Sequence, residues 1–547
     1  MLRGLAQGQT RSMAMAGYFT ADGNGNITAG LEDFGETGSL PSESVLGGTY
    51  FIGSDGRGTL NFTLQPSAGR SGNGSTQTIA FVLDSGAHGQ LIWFESSATG
   101  SGHFDVVNAS AFNAQTFTGN WAFISNGLNN AGSTQESIGG FSFALGSSSS
   151  GGSDNGGSNG QGNGNGNDQG NGNDNGQGNA SGNGQGNRNG NGDGQGNGNG
   201  QDNGNANGNG NGKSKDDSVK ADVTIQNIGG TIVGFTDFVS SSAGMGQGPV
   251  AGAFSVPDAH GHGLAIFTSA AETIAYNYFI VSSDHLLLVE TDGAGSMAGE
   301  GDRQTKSFST ADLTGSYVFS LSGTDGSFGS KAAIAGQFTS GGVGSVSGDV
   351  TENIGGRLIL GTAFNGSFRM DNAATQASFN GRGQLSLSLP DNPAGDTFVF
   401  YMISPAQAFV MQTNSSQPAT GMILAQTGGP FTAASLNGNY GLQFSGLENQ
   451  FQIDASGQFS ANGGSLITTG ALDINNEALA SPPFVYSDNL INAGAFTVDS
   501  QAVGRGTIRF NSAGAPFNFT FYFGSPQQIV LIETDQTFIS TGAAIIQ

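Results

Sequence analysis

Short runs in which apolar residues alternate with small or polar ones recur along almost the whole chain. Such a period of two turns one face of a β-strand toward a core. Gly, Asn, Asp and Ser cluster between the runs, which is the composition of hairpin turns. We therefore predict an all-β chain of antiparallel strands. In residues 313–427, for example, the runs lie near 315–322, 331–339, 343–353, 362–370, 381–389, 396–404, 407–413 and 419–426.

Four landmarks recur in a fixed order and indicate one unit repeated four times. The first is an aromatic opening strand, the second a Gly–aromatic strand, the third a Gly–basic–Gly turn, and the fourth an apolar strand with a polar end. The opening aromatic residues are Trp121, Tyr317 and Tyr440, and the Gly–aromatic strands contain Tyr50, Phe254, Phe368 and Phe496. The basic residues of the turn are Arg57, His262, Arg382 and Arg505. The polar residues that end the fourth landmark are Glu95, Glu290, Gln412 and Glu533.

The spacing of the fourth landmark locates an insertion in the second copy. Glu290, Gln412 and Glu533 are separated by 122 and 121 residues, whereas Glu95 precedes Glu290 by 195, an excess of 73. That excess equals the length of the Asn/Gly-rich tract at 147–219, which has almost no apolar side chain and is predicted to be a flexible coil. The tract resembles an enlarged hairpin tip, where growth of a loop costs little entropy.

The repeat borders predict four β modules in tandem. The first, 1–113, is expected to lack its opening strand. The second, 114–304, carries the insertion at 147–219, and the third and fourth span 305–427 and 428–547. About eight strands in a meander favour closure into an up-and-down barrel, with a β-sandwich as the alternative. Because the links near 113, 305 and 428 are short, we expect an extended string with limited bending.

The repeat as a whole resembles uncharacterised Gly-rich, multi-copy repeat proteins of bacteria that are typically predicted to be exported. Its opening G-x-W/Y-x-F, seen in "TGNWAF" and "TGSYVF", is also similar to the first strand of calycin barrels, the lipocalin and avidin group. The fourth copy departs from this pattern with "NGNYGL". The calycin resemblance implies a barrel and, in many members, a small hydrophobic ligand.

The amino-acid composition argues against several classes of protein. The 547 residues include 96 Gly and no Cys, and the formal charge is −25. The absence of Cys excludes a disulfide scaffold, and the strong negative charge argues against nucleic-acid binding. No apolar run is long enough to predict a transmembrane helix. Gln7, Gly8 and Gln9 interrupt any export signal at the start, so we hypothesise a signal peptide and an opening strand upstream of Met1.

The recurrent basic residue suggests a structural plug at one end of each barrel. The basic residue opens strand five at the barrel end where strand one also begins. We therefore predict Arg382 over Tyr317, Arg505 over Tyr440 and His262 against Trp121, closing the barrel floor by cation–π contacts. The alternative is an exposed side chain leaving a turn.

Candidate metal and catalytic groups are few. His260 and His262 share one strand face, but His262 fills the slot that holds Arg in other copies, so we expect no metal there. Asp22, Asn24 and Asn26 resemble the start of a calcium loop whose twelfth position is Asp33, although a hairpin turn explains them equally well. No reproducible catalytic set is found, and neither a catalytic site nor a cofactor is predicted.

We expect a non-enzymatic exported bacterial protein with an adhesive, matrix or surface-binding role. Possible ligands are polysaccharide or other cell-surface groups, engaged through several modules. Two alternatives stay open: small-molecule binding inside each barrel, and a glycan-acting hydrolase with an unrecognised site. The oligomeric state does not follow from the sequence.

Overall fold

The computed structural model describes the chain in segments. They comprise residues 1–6, 12–35, 42–65, 75–95, 98–129, 132–146, 224–270, 272–325, 330–371, 380–388, 395–414, 416–477, 485–499 and 503–547. The insertion at 147–219, predicted to be a coil, lies outside these residues.

The described strands form four antiparallel units, named barrels 1 to 4 in chain order. Barrel 1 contains β1 (Leu2–Ala6), β2 (Ser12–Ala21), β3 (Asn26–Gly35), β4 (Ser42–Ile52), β5 (Arg57–Leu64), β6 (Thr76–Leu83), β7 (His88–Trp93) and β8 (Ala98–Asp105). Barrel 2 contains β9 (Gly119–Leu128), β10 (Thr134–Leu145), β11 (Ile228–Ser240), β12 (Gly244–Ser255), β13 (His262–Thr268), β14 (Thr273–Ile280), β15 (His285–Glu290) and β16 (Ala298–Arg303).

Barrel 3 contains β17 (Thr314–Asp325), β18 (Ser330–Gly341), β19 (Ser345–Ile354), β20 (Arg357–Met370), β21 (Arg382–Ser388), β22 (Asp396–Ser404), β23 (Gln407–Gln412) and β24 (Ala419–Ala425). Barrel 4 contains β25 (Asn437–Glu448), β26 (Phe451–Asn462), β27 (Leu466–Asn476), β28 (Val485–Leu490), β29 (Asn492–Val498), β30 (Arg505–Ser512), β31 (Ala515–Ser525), β32 (Gln528–Glu533) and β33 (Phe538–Ile546). Short 3₁₀ helices precede barrels 2, 3 and 4, at Ala109–Ala111 and Ala114–Phe117, at Thr310–Asp312, and at Ala433–Ser435.

Each unit is a closed up-and-down barrel, as predicted, and not a sandwich. In barrels 1 to 3 every strand pairs with the next one in sequence, and the last pairs with the first. In barrel 4 the fourth strand is in two pieces, β28 and β29, so nine strands occupy eight positions, and β26–β27 pairing completes the circle. Closure removes the unpaired edges that a meander would otherwise expose.

The prediction that the first module lacks its opening strand is wrong. β1 pairs with both β2 and β8, with Leu2 opposite Met15 and Gly102. The sequence of β1, "LRGLA", has none of the aromatic residues that mark this strand in the other copies, so the motif search missed it. In barrel 2, β10 and β11 pair with Leu145 opposite Gly230, which places the insertion between strands two and three.

The barrel interiors are filled by Phe, Leu and Ile side chains. In barrel 4, for example, Phe444, Phe519 and Phe521 are at most 1% exposed and belong to one continuous cluster. The cavities found inside barrels 1, 2 and 3 have volumes of about 50, 40 and 10 Å³. These spaces are far below the roughly 300 Å³ that a small-molecule site needs.

The Gly–basic–Gly turn has one physical explanation in all four barrels. The first glycine, such as Gly381, has a positive φ that favours a residue without Cβ. The second glycine faces the interior beneath an aromatic ring of strand six, so an added Cβ would lie 2.3 Å from the ring of Phe400 at Gly383 and 2.4 Å from that of Phe521 at Gly506. The ring covers the bare backbone, and only glycine leaves room for it.

The four barrels form a closed ring, which corrects the expected extended string. Strands six and seven are buried on both faces: Phe398 and Phe400 point into barrel 3, whereas Val399 and Tyr401 join a second apolar cluster with Ile138 of barrel 2. Equivalent clusters lie between barrels 1 and 2 and between barrels 3 and 4. Contacts of β26 with β6, β7 and β8 bring barrel 4 back to barrel 1.

Asparagine side chains of strand three secure two of these junctions. Asn353 donates from Nδ2 to the carbonyl oxygens of Glu533, Asp535 and Phe538 in barrel 4. Asn475 of barrel 4 donates in the same way to the carbonyls of barrel 1 residues 93, 95 and 98. In each case one side-chain amide forms hydrogen bonds to the connection between strands seven and eight of the neighbouring barrel.

Removing a buried ring from a barrel should cost far more stability than removing an exposed one. We expect Phe521→Ala to lower the free energy of unfolding by about 3–5 kcal/mol, because it leaves a cavity over Gly506. The matched control Phe451→Ala, in the same barrel but 50% exposed, should change it by less than about 1 kcal/mol. Urea unfolding followed by circular dichroism measures both, and equal losses would contradict a close-packed interior.

Candidate functional sites at the barrel junctions

One ion pair repeats around the ring. The basic residue that opens strand five of each barrel reaches an aspartate on strand three of the neighbouring barrel. The pairs are His262 Nε2 with Asp33 at 2.9 Å, Arg382 Nη2 with Asp237 at 2.5 Å, Arg505 Nη1 with Asp349 at 3.1 Å and Arg57 Nη1 with Asp473 at 3.5 Å. They join barrels 2 to 1, 3 to 2, 4 to 3 and 1 to 4, so the circuit closes.

This arrangement corrects the predicted barrel-floor plug. In strand five of barrel 3, Leu385 and Leu387 point inward, so Arg382 lies on the outer face of the wall. Tyr317 lies in the interior cluster, on the other side of that wall. The Arg382 guanidinium instead lies over the ring of Phe235 of barrel 2, at 5.3 Å. The same alternation of side chains along strand five of barrel 4 places Arg505 on the outer face of that barrel.

The opening aromatic residues are core residues with local partners. The Tyr317 hydroxyl donates to the carbonyl of Pro405 at 3.0 Å, and the Tyr440 hydroxyl donates to that of Pro526 at 2.8 Å. Trp121 does lie beneath a cation, but the guanidinium, 4.8 Å from the ring, belongs to Arg303 and not to the predicted His262.

The junction between barrels 2 and 3 is fully packed. Arg382 is only 3% exposed and donates to both oxygens of Asp237, which is itself completely buried. Tyr401 donates its hydroxyl to the same carboxylate, and Gln247 accepts from the guanidinium. The guanidinium also pairs with Asp371 of its own barrel, and its hydrogen bonds to Asp237 and Gln247 join barrel 3 to barrel 2.

The junction between barrels 3 and 4 contains an open groove of about 990 Å³. The equivalent arginine, Arg505, has a side chain that is 29% exposed and lies between Asp349 and Asp499. Exposed uncharged polar residues, Thr339, Ser347 and Asn365, form part of the wall. This groove is large enough to hold a ligand of several rings.

The polar residues that end strand seven are structural. Glu290 and Glu533 are at most 1% exposed. Glu290 accepts a hydrogen bond from the backbone amide of Met297 at 3.0 Å, and Glu533 accepts one from Asn518 at 2.8 Å. Burial raises the pKa of Glu290 to about 9, with the neighbouring Asp292 adding to the shift. These groups cap backbone donors inside separate barrels and do not meet as a catalytic pair.

All five histidines of the chain lie at the junction of barrels 1 and 2. The predicted H-x-H pair is divided between two partners: the His260 ring stacks on Tyr18 at 4.5 Å, whereas His262 bonds to Asp33. The other three histidines form a row, with ring centroids of His88 and His103 5.8 Å apart and those of His103 and His285 6.3 Å apart. No regular spacing along the chain links these three residues.

The calcium-loop pattern is a hairpin turn. The Asp22 carboxylate accepts from the backbone amides of Asn24 and Asn26 and from the Asn26 side chain, and these hydrogen bonds lower its pKa. Asp33, the expected twelfth ligand, is buried at the junction with barrel 2 and accepts from Asn277. The residues therefore do not converge on one ion.

The sequence analysis did not identify the aspartates of the repeated ion pair, although they recur in a recognisable pattern. An aspartate followed by an apolar residue occurs on strand three in every copy, at Asp33, Asp237, Asp349 and Asp473. The last two are 124 residues apart, close to the repeat length. This aspartate could therefore have been recognised as a fifth recurring landmark. Its basic partner lies in another copy of the repeat and could not have been identified from the sequence.

Comparison of the sequence with protein-family models found no match, and a search of curated proteins found none either. Among the described residues, no helix is long and apolar enough to cross a lipid bilayer.

The two arginine junctions should respond differently to loss of the cation. Arg382→Met leaves Asp237 buried without its guanidinium, so we expect it to lower the free energy of unfolding by about 3–5 kcal/mol. Arg505→Met removes a partly exposed pair and should cost about 0–1 kcal/mol. Urea unfolding of both variants tests this difference, and equal effects would refute the distinction between a packed and an open junction.

The His262 junction should be pH-dependent in a way that the arginine junctions are not. Burial lowers the pKa of His262, but the hydrogen bond to Asp33 and the charges of Asp33 and Asp258 outweigh it, so the pKa lies above its ordinary value. The pair thus contributes fully below about pH 6.5 and is lost as pH rises through the raised pKa of the folded protein. His262→Arg keeps its charge throughout this range.

We therefore expect the stability of the wild-type protein to fall relative to that of His262→Arg between pH 6 and pH 9. Thermal unfolding at several pH values measures the difference between the two proteins, which cancels the titration of other groups. Parallel curves across this range would contradict a protonated His262 at the junction.

Proposed function

We propose that the protein is a non-enzymatic, exported bacterial protein that binds polysaccharide at a surface or in a matrix, through the groove between barrels 3 and 4. The observation that carries the proposal is the polar, mostly uncharged wall of this groove. Hydroxyl and amide groups both donate and accept hydrogen bonds, which is what the hydroxyl groups of a sugar require. Export is supported only by the resemblance to bacterial repeat proteins.

The polar side chains of the groove wall are of two kinds: some are hydrogen-bonded to the protein, and others are exposed to solvent. Gln337 is buried and donates to Asp349 at 2.7 Å, and Gln426 donates to the carbonyl of Phe523 at 2.9 Å. Ser347 and Asn365 are exposed on neighbouring strands, β19 and β20. Their backbones are held by a closed barrel, so these groups can meet a ligand with little loss of conformational freedom.

The alternative of small-molecule binding inside each barrel has little support, because the interior cavities that were found hold about 50 Å³ or less. A hydrolase site in the groove is also less favoured. Its acids, Asp349 and Asp499, both pair with the guanidinium of Arg505. The pair with Asp349 joins barrel 4 to barrel 3, so these acids already serve as partners of one cation.

Glycan-array binding by the full chain, followed by titration of the best glycan, tests the proposal. We expect the double variant Ser347→Ala, Asn365→Ala to bind about tenfold or more weakly, because each lost hydrogen bond is worth about 0.5–1.5 kcal/mol. The matched control is Asn61→Ala, Thr63→Ala, which truncates two exposed polar residues of barrel 1. No bound glycan, or equal affinity of both double variants, would contradict the proposal.

A further inference from the structure

We propose a binding site for a divalent transition-metal ion of the zinc class at the junction of barrels 1 and 2. Its ligands are His103 and Asp105 from β8 of barrel 1 and His285 and Glu300 from β15 and β16 of barrel 2. The site is separate from the groove proposed to bind polysaccharide and does not depend on that function.

The side chains already converge. One ligand atom from each of His103, Asp105 and His285 lies within 4.8 Å of the other two. Nε2 of His103 is 3.7 Å from Oδ2 of Asp105 and 3.9 Å from Oε2 of Glu300. Tetrahedral ligands at Zn–N and Zn–O distances of about 2.0–2.2 Å are about 3.4 Å apart, which is close to the present spacing of the three converging side chains. Glu300, in contact with His103, supplies the fourth ligand.

Carboxylates outside the cluster orient the imidazoles as they do around bound metals. Asp302 accepts from Nδ1 of His285 at 2.8 Å, which leaves Nε2 as the atom available for an ion. Asp84 contacts Nδ1 of the neighbouring His88 at 2.7 Å in the same way. A carboxylate on the far ring nitrogen fixes the tautomer and makes the near nitrogen a better ligand.

One atom of the cluster lacks a hydrogen-bond partner in the part of the chain that the structure describes. Oδ2 of Asp105 is buried and accepts no hydrogen bond. A buried carboxylate oxygen that accepts no hydrogen bond is costly unless a cation meets it.

The ligand set selects the ion. Two imidazole nitrogens and two carboxylate oxygens suit Zn²⁺ and related first-row ions, whereas Ca²⁺ and Mg²⁺ prefer oxygen ligands alone. The side chains of His103 and Asp105 are about one-fifth exposed, so an ion can enter from solvent. Because ligands come from both barrels, the ion would join barrel 1 to barrel 2, and binding would stabilise the ring.

Isothermal titration calorimetry with ZnCl₂ on the full chain, metal-stripped and without a polyhistidine tag, tests the site. We expect one Zn²⁺ per chain, a melting temperature that rises with Zn²⁺, and no effect of Mg²⁺ at the same concentration. Co²⁺ should give the strong visible absorption of a four-coordinate ion. Failure of wild-type protein to bind Zn²⁺, or an equal response to Mg²⁺, would overturn the proposal.

Variants separate this cluster from other histidines. His103→Gln and Asp105→Asn should each weaken Zn²⁺ binding at least tenfold and abolish the Co²⁺ absorption. The matched control His260→Asn removes a histidine at the same junction that stacks on Tyr18, and it should bind Zn²⁺ like wild type. Circular dichroism in EDTA checks folding, and Glu300→Gln replaces any variant that does not fold. Equal binding by all variants would refute the assignment.

Discussion

The constraint on which the structure depends is that strands six and seven of each barrel carry buried apolar residues on both faces. In barrel 3, Phe400 and Met402 fill the interior, while Val399 and Ile403 of the same strand point outward and are equally buried. A barrel can hide only one face of its wall. The outward face must be covered by another barrel, so the four units depend on one another and are not independent beads.

Ring closure follows from the kind of interface that this constraint creates. Each junction joins different surfaces, chiefly strand two of one barrel with strands six to eight of the next, and is therefore head-to-tail. A row of head-to-tail units leaves one uncovered surface at each end. The contact of Arg57 with Asp473 shows how the last barrel returns to the first. Within the described residues, all four apolar outer faces are thereby buried.

Repetition of one junction allowed its copies to diverge. The slot held by a buried Arg382 between barrels 2 and 3 holds a partly exposed Arg505 between barrels 3 and 4 and a titratable His262 between barrels 1 and 2. The backbone frame is the same, and the side chains decide whether a junction is sealed, open or ionisable. Both proposed binding sites lie where the junction is least like a packed core, because only there are polar groups left over.

Alternation, turn residues and repeat spacing are local properties of the chain, and they were enough to predict the strands other than β1, the four copies and the place of the insertion. Two features of the junctions are also visible in the sequence. One is the strands with apolar residues on both faces, and the other is the recurring aspartate, at Asp33, Asp237, Asp349 and Asp473. Which acid meets which base, by contrast, depends on how the barrels pack against one another. His103 and His285 are 182 residues apart, and no local pattern relates them. Their meeting depends on the closing of two barrels and the docking of one against the other, a global outcome of burying apolar surface.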